Sequence, residues 1–271
     1  MFDLNIIIIL IFFSIMAGFF AGLLGAGGGL IIVPALFFAF KFTGYSDDIL
    51  MHLAVGTSLA IIFPTSIISA YTHFKLGNLD KNFFIYCSFF IFFGIIFGAI
   101  FTTSVNTKNL LILFSVYTLM SAIFILLAKE RRSQKRNIPI ILKSIFGLIT
   151  GFLSIPLGIG GASIMVPIMR FYDYSIRKAI GTSAHFGIII SFFGFISLLV
   201  SGYFFSNIEE PYSIGYINIL GFLIFTPITI LLAPIGAKFS SKIKKKLLNK
   251  IFGIVLMIIS LRSFYEIFDF I

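Results

Sequence analysis

The sequence predicts an all-α integral membrane protein of two homologous halves, arranged as inverted repeats. Each half is a broken or re-entrant helical hairpin followed by three transmembrane helices, giving 8–10 helical segments. Composition, an internal duplication and the distribution of basic residues predict this fold. Hydrophobic residues make up 59% of the chain and charged residues 11%, whereas about a quarter of a soluble domain is charged. A spanning helix needs about 20 apolar residues, and such stretches fill most of the 271 positions, leaving no room for a soluble domain. The first apolar stretch, Ile6 to Phe20, is as hydrophobic as a signal peptide. It lacks a preceding basic region and runs into a glycine series, so it reads as mature protein.

The duplication is carried by four blocks in the same order. Gly18, Gly22, Gly25, Gly27, Gly28, Val33 and Pro34 pair with Gly147, Gly151, Gly158, Gly160, Gly161, Val166 and Pro167, with a four-residue insertion in the second copy. Ala54-Val-Gly-Thr-Ser returns as Ala179-Ile-Gly-Thr-Ser, Gly77-Asn-Leu-Asp as Gly215-Tyr-Ile-Asn, and Gly98-Ala as Gly236-Ala. Ordered recurrence of this kind marks a repeat architecture rather than biased composition. The first membrane repeat is placed at 1–130, a basic cytoplasmic linker at 131–139 and the second repeat at 140–271.

Apolar runs and their breaks place helices at 5–22, 29–40, 50–72, 82–104, 109–128, 143–153, 160–170, 176–202, 215–237 and 247–268. The two strongest basic clusters, 129–136 and 238–250, belong on the cytoplasmic side by the positive-inside rule. A single span over 143–170 would put them on opposite sides. If the chain instead reverses at 156–161, and 6–40 reverses at 25–29, then 17 of the 20 Lys and Arg residues share one face. Lys41, Lys108 and Arg262 stay opposite, and both termini lie outside the cytoplasm. Each arm of the second hairpin has about 11 residues, or roughly 16 Å, which sets its turn near the bilayer midplane. The first arm of the opening copy is longer, and crossing fully is open to it.

These turns carry the candidate site. Glycine permits unusual backbone angles and close approach, and backbone exposed at that depth must face protein or water. Gly25, Gly27, Gly28 and Gly29 with Gly158, Gly160 and Gly161 would present free N–H groups and the positive ends of the helices that follow. Pro34 and Pro167 deprive the Leu30 and Ser163 carbonyls of their helical donors. Interruptions at equivalent places in two halves point to a transporter's substrate site; close helix packing is the alternative use of the same glycines. Thr57, Ser58, Thr182 and Ser183 either line that cavity or bond back to their own helices. His185, ionisable within an apolar helix, is a candidate for proton coupling. His52 and His73 sit near helix ends and read as interfacial.

Other chemistries are excluded. One cysteine, Cys87, forms no internal disulfide or thiol cluster and reads as a small apolar filler. No spacing suggests a metal or cofactor. The net charge of +10 reports topology rather than a nucleic-acid partner, since the basic residues lie in loops between apolar runs. Ser183 and His185 lack a nucleophile elbow and, two apart on a helix, point in different directions, so the chain is not an enzyme.

The blocks from Gly22 to Pro34, Ala54 to Ser58, Gly77 to Asp80, Ser213 to Asn218 and Ala233 to Lys238 together resemble the sulfite exporter TauE/SafE family of membrane transporters, over almost the whole chain. The resemblance implies a multi-pass protein of the bacterial inner (cell) membrane that exports or imports a small sulfur-containing anion such as sulfite or a sulfonate. Its partners would be that anion, the lipid bilayer and a coupling ion, proton or sodium. An anion channel of the same architecture and a non-transporting membrane scaffold are the alternatives. Ser154-Ile-Pro-Leu, read as a longer second turn, and Ala162, where the first copy has Gly29, depart from symmetry.

Overall fold

The computed structural model describes residues 3–24, 28–127, 138–204, 206, 210–239 and 245–268. Among the described residues ten helices follow one another: α1 Leu4–Leu24, α2 Gly29–Phe42, α3 Leu50–Lys75, α4 Lys81–Ser104, α5 Thr107–Leu127, α6 Ile140–Ser154, α7 Ala162–Phe171, α8 Ile176–Phe204, α9 Ile219–Phe239 and α10 Lys245–Ile267. A two-residue hairpin, β1 Ser213–Ile214 with β2 Ile217–Asn218, precedes α9. Six of the described helices, α1, α3, α4, α5, α8 and α9, are long and apolar enough to cross a membrane, whereas α2, α6 and α7 are shorter. Large side chains such as Phe89, Phe97, Met120 and Leu231 are exposed on the outside, the surface a lipid solvent requires. The all-α membrane architecture is therefore present. At 21 residues α1 is about 31 Å long, so this arm has the length to cross.

The first five helices and the last five make matching contacts. Helix α1 packs along α9 and α6 along α4; α3 crosses α8, and α5 lies against α10. Leu59 of α3 faces Gly194 of α8, and Ser66 faces Gly187, so these two helices run antiparallel. So do α5 and α10, where Gly253 meets Leu126 and Ala122 while Ser260 Oγ donates to Ser115 O at 3.0 Å. The capping is matched too. Asp80 accepts from Phe83 N at 3.1 Å to start α4, and Asn218 Oδ1 accepts from Gly221 N at 2.9 Å to start α9.

These contacts correct one register. Gly18 packs against Thr229, and Gly151 packs against Ile91, the residue 138 positions before Thr229. Gly236 meets Phe19, and Gly98 meets Phe152. Gly18 thus corresponds to Gly151 at an offset of 133, the offset that also relates Gly28 to Gly161 and Pro34 to Pro167. The expected pairing of Gly18 with Gly147 and the four-residue insertion are overturned. The second turn is nonetheless the longer one, with seven residues between α6 and α7 against four between α1 and α2, because α6 unwinds earlier: it stops at Ser154, since Pro156 has no N–H to continue the ladder, while α1 stays helical to Leu24.

The connections sort into two ends. At one, Lys178 Nζ donates to Leu79 O at 3.2 Å, joining the loop after α3 to the start of α8. At the other, Tyr45 OH donates to Pro211 O at 2.8 Å and Ser46 N to Glu210 Oε1 at 3.1 Å. Lys41 pairs there with the buried carboxylate of Glu266, which Arg262 also reaches at 2.9 Å.

Candidate functional site

The two glycine turns meet in the interior. Gly28 and Gly161 occupy the position before α2 and α7, both left-handed, with φ 78° and 77°, a region in which glycine avoids the steric cost other residues meet. The backbone of Gly29 lies so near Gly158 and Ile159 that a Cβ on Gly29 would overlap Gly158 O. Ser58 Oγ donates to the same Gly158 carbonyl at 2.9 Å. Gly158 itself is left-handed, φ 63°, with Val33 and Val55 against its Cα. Gly160 O lies near Gly187 of α8, which faces Ser66 of α3. The second turn is thus clasped between α2, α3 and α8. Gly25 and Gly27 lie outside the described residues.

The four hydroxyl candidates divide. Thr57 Oγ1 accepts from Asn218 N at 2.8 Å, and Thr182 Oγ1 accepts from Asp80 N at 2.9 Å. Neither bonds back to its own helix and neither reaches the turns; each holds the loop preceding α9 or α4. The neighbouring glycines complete this clasp, since a Cβ on Gly56 would overlap Tyr216 O and one on Gly181 would overlap Asn78 O. Gly-Thr within Ala54–Ser58 and Ala179–Ser183 is therefore a lock, and its keyholes are the Gly215–Asn218 and Gly77–Asp80 loops. The recurrence of all four segments in the sequence is the signal for it. Ser58 joins the turn, while Ser183 Oγ is buried with no hydrogen-bond partner.

The histidines depart from expectation. His185 Nδ1 donates to Gly181 O at 2.7 Å and its ring lies beside Phe74 and Phe84, half-buried and apart from the turns. It makes no bond to Ser183, as a hydrolytic pair would. His52 and His73, expected at the interface, are buried instead. His52 Nε2 reaches Thr102 O and Val105 O, both at 3.0 Å, and closes the end of α4. His73 lies against the first hairpin: Asn78 Nδ2 donates to its Nδ1 at 3.4 Å, which leaves Nε2 as the donor to Gly22 O at 3.1 Å. Carbonyls left unpaired at helix ends attract these rings inward, which a count of helix positions does not reveal. Cys87 is fully buried on α4, the filler expected.

Long apolar spans, paired short arms and a buried polar turn define a multi-pass membrane transporter, with lipid around it and a small substrate within. A family model described as Sulfite exporter TauE/SafE matches residues 10–263, and the chain belongs to this family. A probable membrane transporter protein of Haemophilus influenzae is 31% identical over 93% of this chain and 95% of its own length. Another from Methanocaldococcus jannaschii is 32% identical over 89% and 92%, respectively. The probable membrane transporter protein YunE of Bacillus subtilis is 28% identical over 96% and 97%. No solved structure matches the chain. The family is one of transporters rather than enzymes, and the bacterial inner membrane fits it.

Proposed function

We propose that the chain is a secondary transporter for a small anion, with sulfite, a sulfonate or a related sulfur-containing anion as cargo. The observation that carries this reading is the meeting of the two glycine turns in the interior, Gly29 against Gly158 and Ile159. There the free N–H groups of two helix starts supply partial positive charge without a Lys or Arg, and the Ser58 hydroxyl holds the Gly158 carbonyl in place. In this reading Gly25, Gly27, Gly28, Gly29, Gly158, Gly160 and Gly161 form the site with Ser58 and Ser183. Thr57 and Thr182 hold its walls, and His185 is the proton-coupling candidate.

Residues 1–130 and 140–271 act as inverted repeats that alternate access around the turns, joined by a cytoplasmic linker at 131–139 that lies almost wholly outside the described residues. The antiparallel crossing of the matched helices α3 and α8 supports this inversion. The end bearing Lys178 faces the cytoplasm, and the end bearing Tyr45 and Glu210 faces out. The family's own description favours sulfite as one cargo to test.

The test is uptake by proteoliposomes offered sulfite, several sulfonates, sulfate and carboxylates under imposed proton or sodium gradients. Saturable, gradient-driven accumulation of a sulfur anion is expected. Non-saturating flux that ignores both gradients would make the protein a channel, and vesicles impermeable to every anion would make it a scaffold.

A further inference from the structure

Among the buried groups that the anion site leaves unused, His73 is placed to join the two repeats. It stands in the last turn of α3 with no exposed surface. Gly22 lies in the last turn of α1, where a carbonyl has no donor within its helix, and His73 Nε2 donates to it at 3.1 Å. On the other edge of the ring, Nδ1 accepts from Asn78 Nδ2 at 3.4 Å. Asn78 in turn packs on Gly181 of α8, and the next two residues bond to the same helix, Leu79 O to Lys178 and Asp80 N to Thr182. One imidazole therefore ties the end of α1 to the loop that grips the second repeat.

Protonation reverses one of these ties. In neutral His73 the proton sits on Nε2 and Nδ1 accepts, whereas a second proton on Nδ1 makes both nitrogens donors. The Asn78 amide then faces a donor with a donor and must turn or withdraw, while the bond to Gly22 O stays. His185 lacks this property. Its Nδ1 donates to Gly181 O of its own helix at 2.7 Å, and that bond survives protonation of Nε2. The elements packed around His73 carry few charged or titratable side chains at this level. They are His185, which acts on it electrostatically, and Lys178 of α8, Asp80 and Lys81 where α4 begins, Lys238 at the end of α9 and Lys75 on α3 itself; α1 has none.

A polar stripe leads from His73 into the membrane. Thr65, Ser69 and His73 follow at four-residue steps on one face of α3. Thr65 Oγ1 lies 2.7 Å from Thr229 Oγ1 of α9, and Ser69 Oγ is buried with no partner, a costly state for a hydroxyl that a water on the stripe would relieve. The second repeat has no such ring. Leu198 stands 125 positions beyond His73, the offset of Thr57 and Thr182, and Tyr216 stands 138 beyond Asn78.

We propose that His73 binds the coupling proton, and that its protonation frees the Asn78 loop from the first hairpin so that the repeats can move. The inference rests on the secondary-transport reading above, makes its coupling ion a proton and places that proton on His73 rather than His185. In each cycle one proton enters on Nδ1 from one side of the membrane and leaves to the other.

The experiment uses the full chain in proteoliposomes with labelled sulfite and with ethanesulfonate, which has no titratable proton of its own at neutral pH. A gradient of one pH unit, at one proton per monoanion, supports about tenfold accumulation, and the wild type is expected to approach it. Glutamine can still donate to Gly22 O and accept from Asn78 but takes no proton. His73→Gln should therefore keep exchange of internal for external anion while accumulation falls to its level without a gradient. Uptake by the wild type should vary with pH, and that by His73→Gln should not. Asn78→Asp, whose carboxylate holds the imidazolium, should uncouple in the same way and decides the matter if His73→Gln does not fold. Proton-driven accumulation by the folded variant, or wild-type accumulation that follows only a sodium gradient, overturns the assignment and leaves anion transport standing. Loss of exchange together with accumulation would reduce His73 to a structural tie and overturn it too. A wild type that carries neither anion, or carries them without regard to either gradient, removes instead the secondary-transport reading itself.

Discussion

Alanine at Gly181 tests the lock between α8 and the loop before α4. A methyl carbon there would stand 2.5 Å from Asn78 Cβ and overlap the Asn78 carbonyl, while ordinary contact begins near 3.4 Å. The loop must therefore retreat by at least about 0.9 Å, the difference of those two distances. Two residues on, Asp80 N is 2.9 Å from Thr182 Oγ1. The same retreat stretches that bond to roughly 3.8 Å, beyond hydrogen-bonding range. Losing a buried bond costs about 1–3 kcal/mol, and overpacking about 1–3 kcal/mol more. Against this, Gly to Ala within a helix gains about 1 kcal/mol.

Loss wins by about 3 kcal/mol in the middle of these ranges, equivalent to roughly 6–12 °C for a chain of this size. The readout is the melting temperature in detergent, followed by size-exclusion chromatography after heating. Gly194→Ala on the same helix is the control. Its new methyl meets only the ends of the flexible Ile155 and Leu59 side chains, so the propensity gain should leave its melting temperature equal or higher. Thr182→Val should destabilise by itself yet add little to Gly181→Ala, because both remove one bond. A Gly181→Ala protein as stable as the wild type, with a fully additive Thr182→Val effect, would refute the lock.

Gly28→Val and Gly161→Val should abolish transport while the protein still reaches the membrane, since valine is disfavoured at φ 78° and 77°; normal uptake by either well-folded variant would reduce the turns to packing. In a Cys87→Ser background, cysteines at Lys75 and Lys178 should stay protected from an impermeant thiol reagent on intact cells, while one at Glu210 should react. Labelling of Lys178 and Glu210 positions from the same side would break the inverted topology. Gln at Lys41, Arg170, Arg177 or Lys178 should each alter substrate affinity by less than about tenfold, or 1.4 kcal/mol. Arg170 already donates to Tyr174 O and Lys178 to Leu79 O, so loss of binding in a correctly inserted Arg170→Gln protein would mean that a full cation meets the anion.

The ten helices of the described residues were legible in the sequence because apolar runs broken by Gly, Pro and charge are local signals, and each expected range overlaps an observed helix, although the start of the one expected at 215–237 is a hairpin and α9 begins only at Ile219. The left-handed turns before α2 and α7 were legible from their glycines for the same reason. The hairpin register was not: Gly18 and Gly22 repeat at a spacing of four, as do Gly147 and Gly151, and a slide of four residues keeps a side chain on the same helical face. Only the partners Thr229 and Ile91 decide between Gly147 and Gly151 as the mate of Gly18. Nor did Thr57 and Thr182 announce their partners, since the donors lie 161 residues ahead and 102 behind. The burial of His73 depends on the Gly22 carbonyl, again a partner distant in sequence.

The packing of α1 on α9 also orders events in time. Helix α1 bears a face that lets Thr229 approach Gly18 closely, and that partner is translated 211 residues later. At the usual pace of about 5–20 residues per second, the wait is roughly 10–40 s. Until α9 arrives, the grooved face of α1 meets lipid or a membrane insertase. The nascent chain can set α4 beside α6 well before then, so the second hairpin is seated before the first is closed.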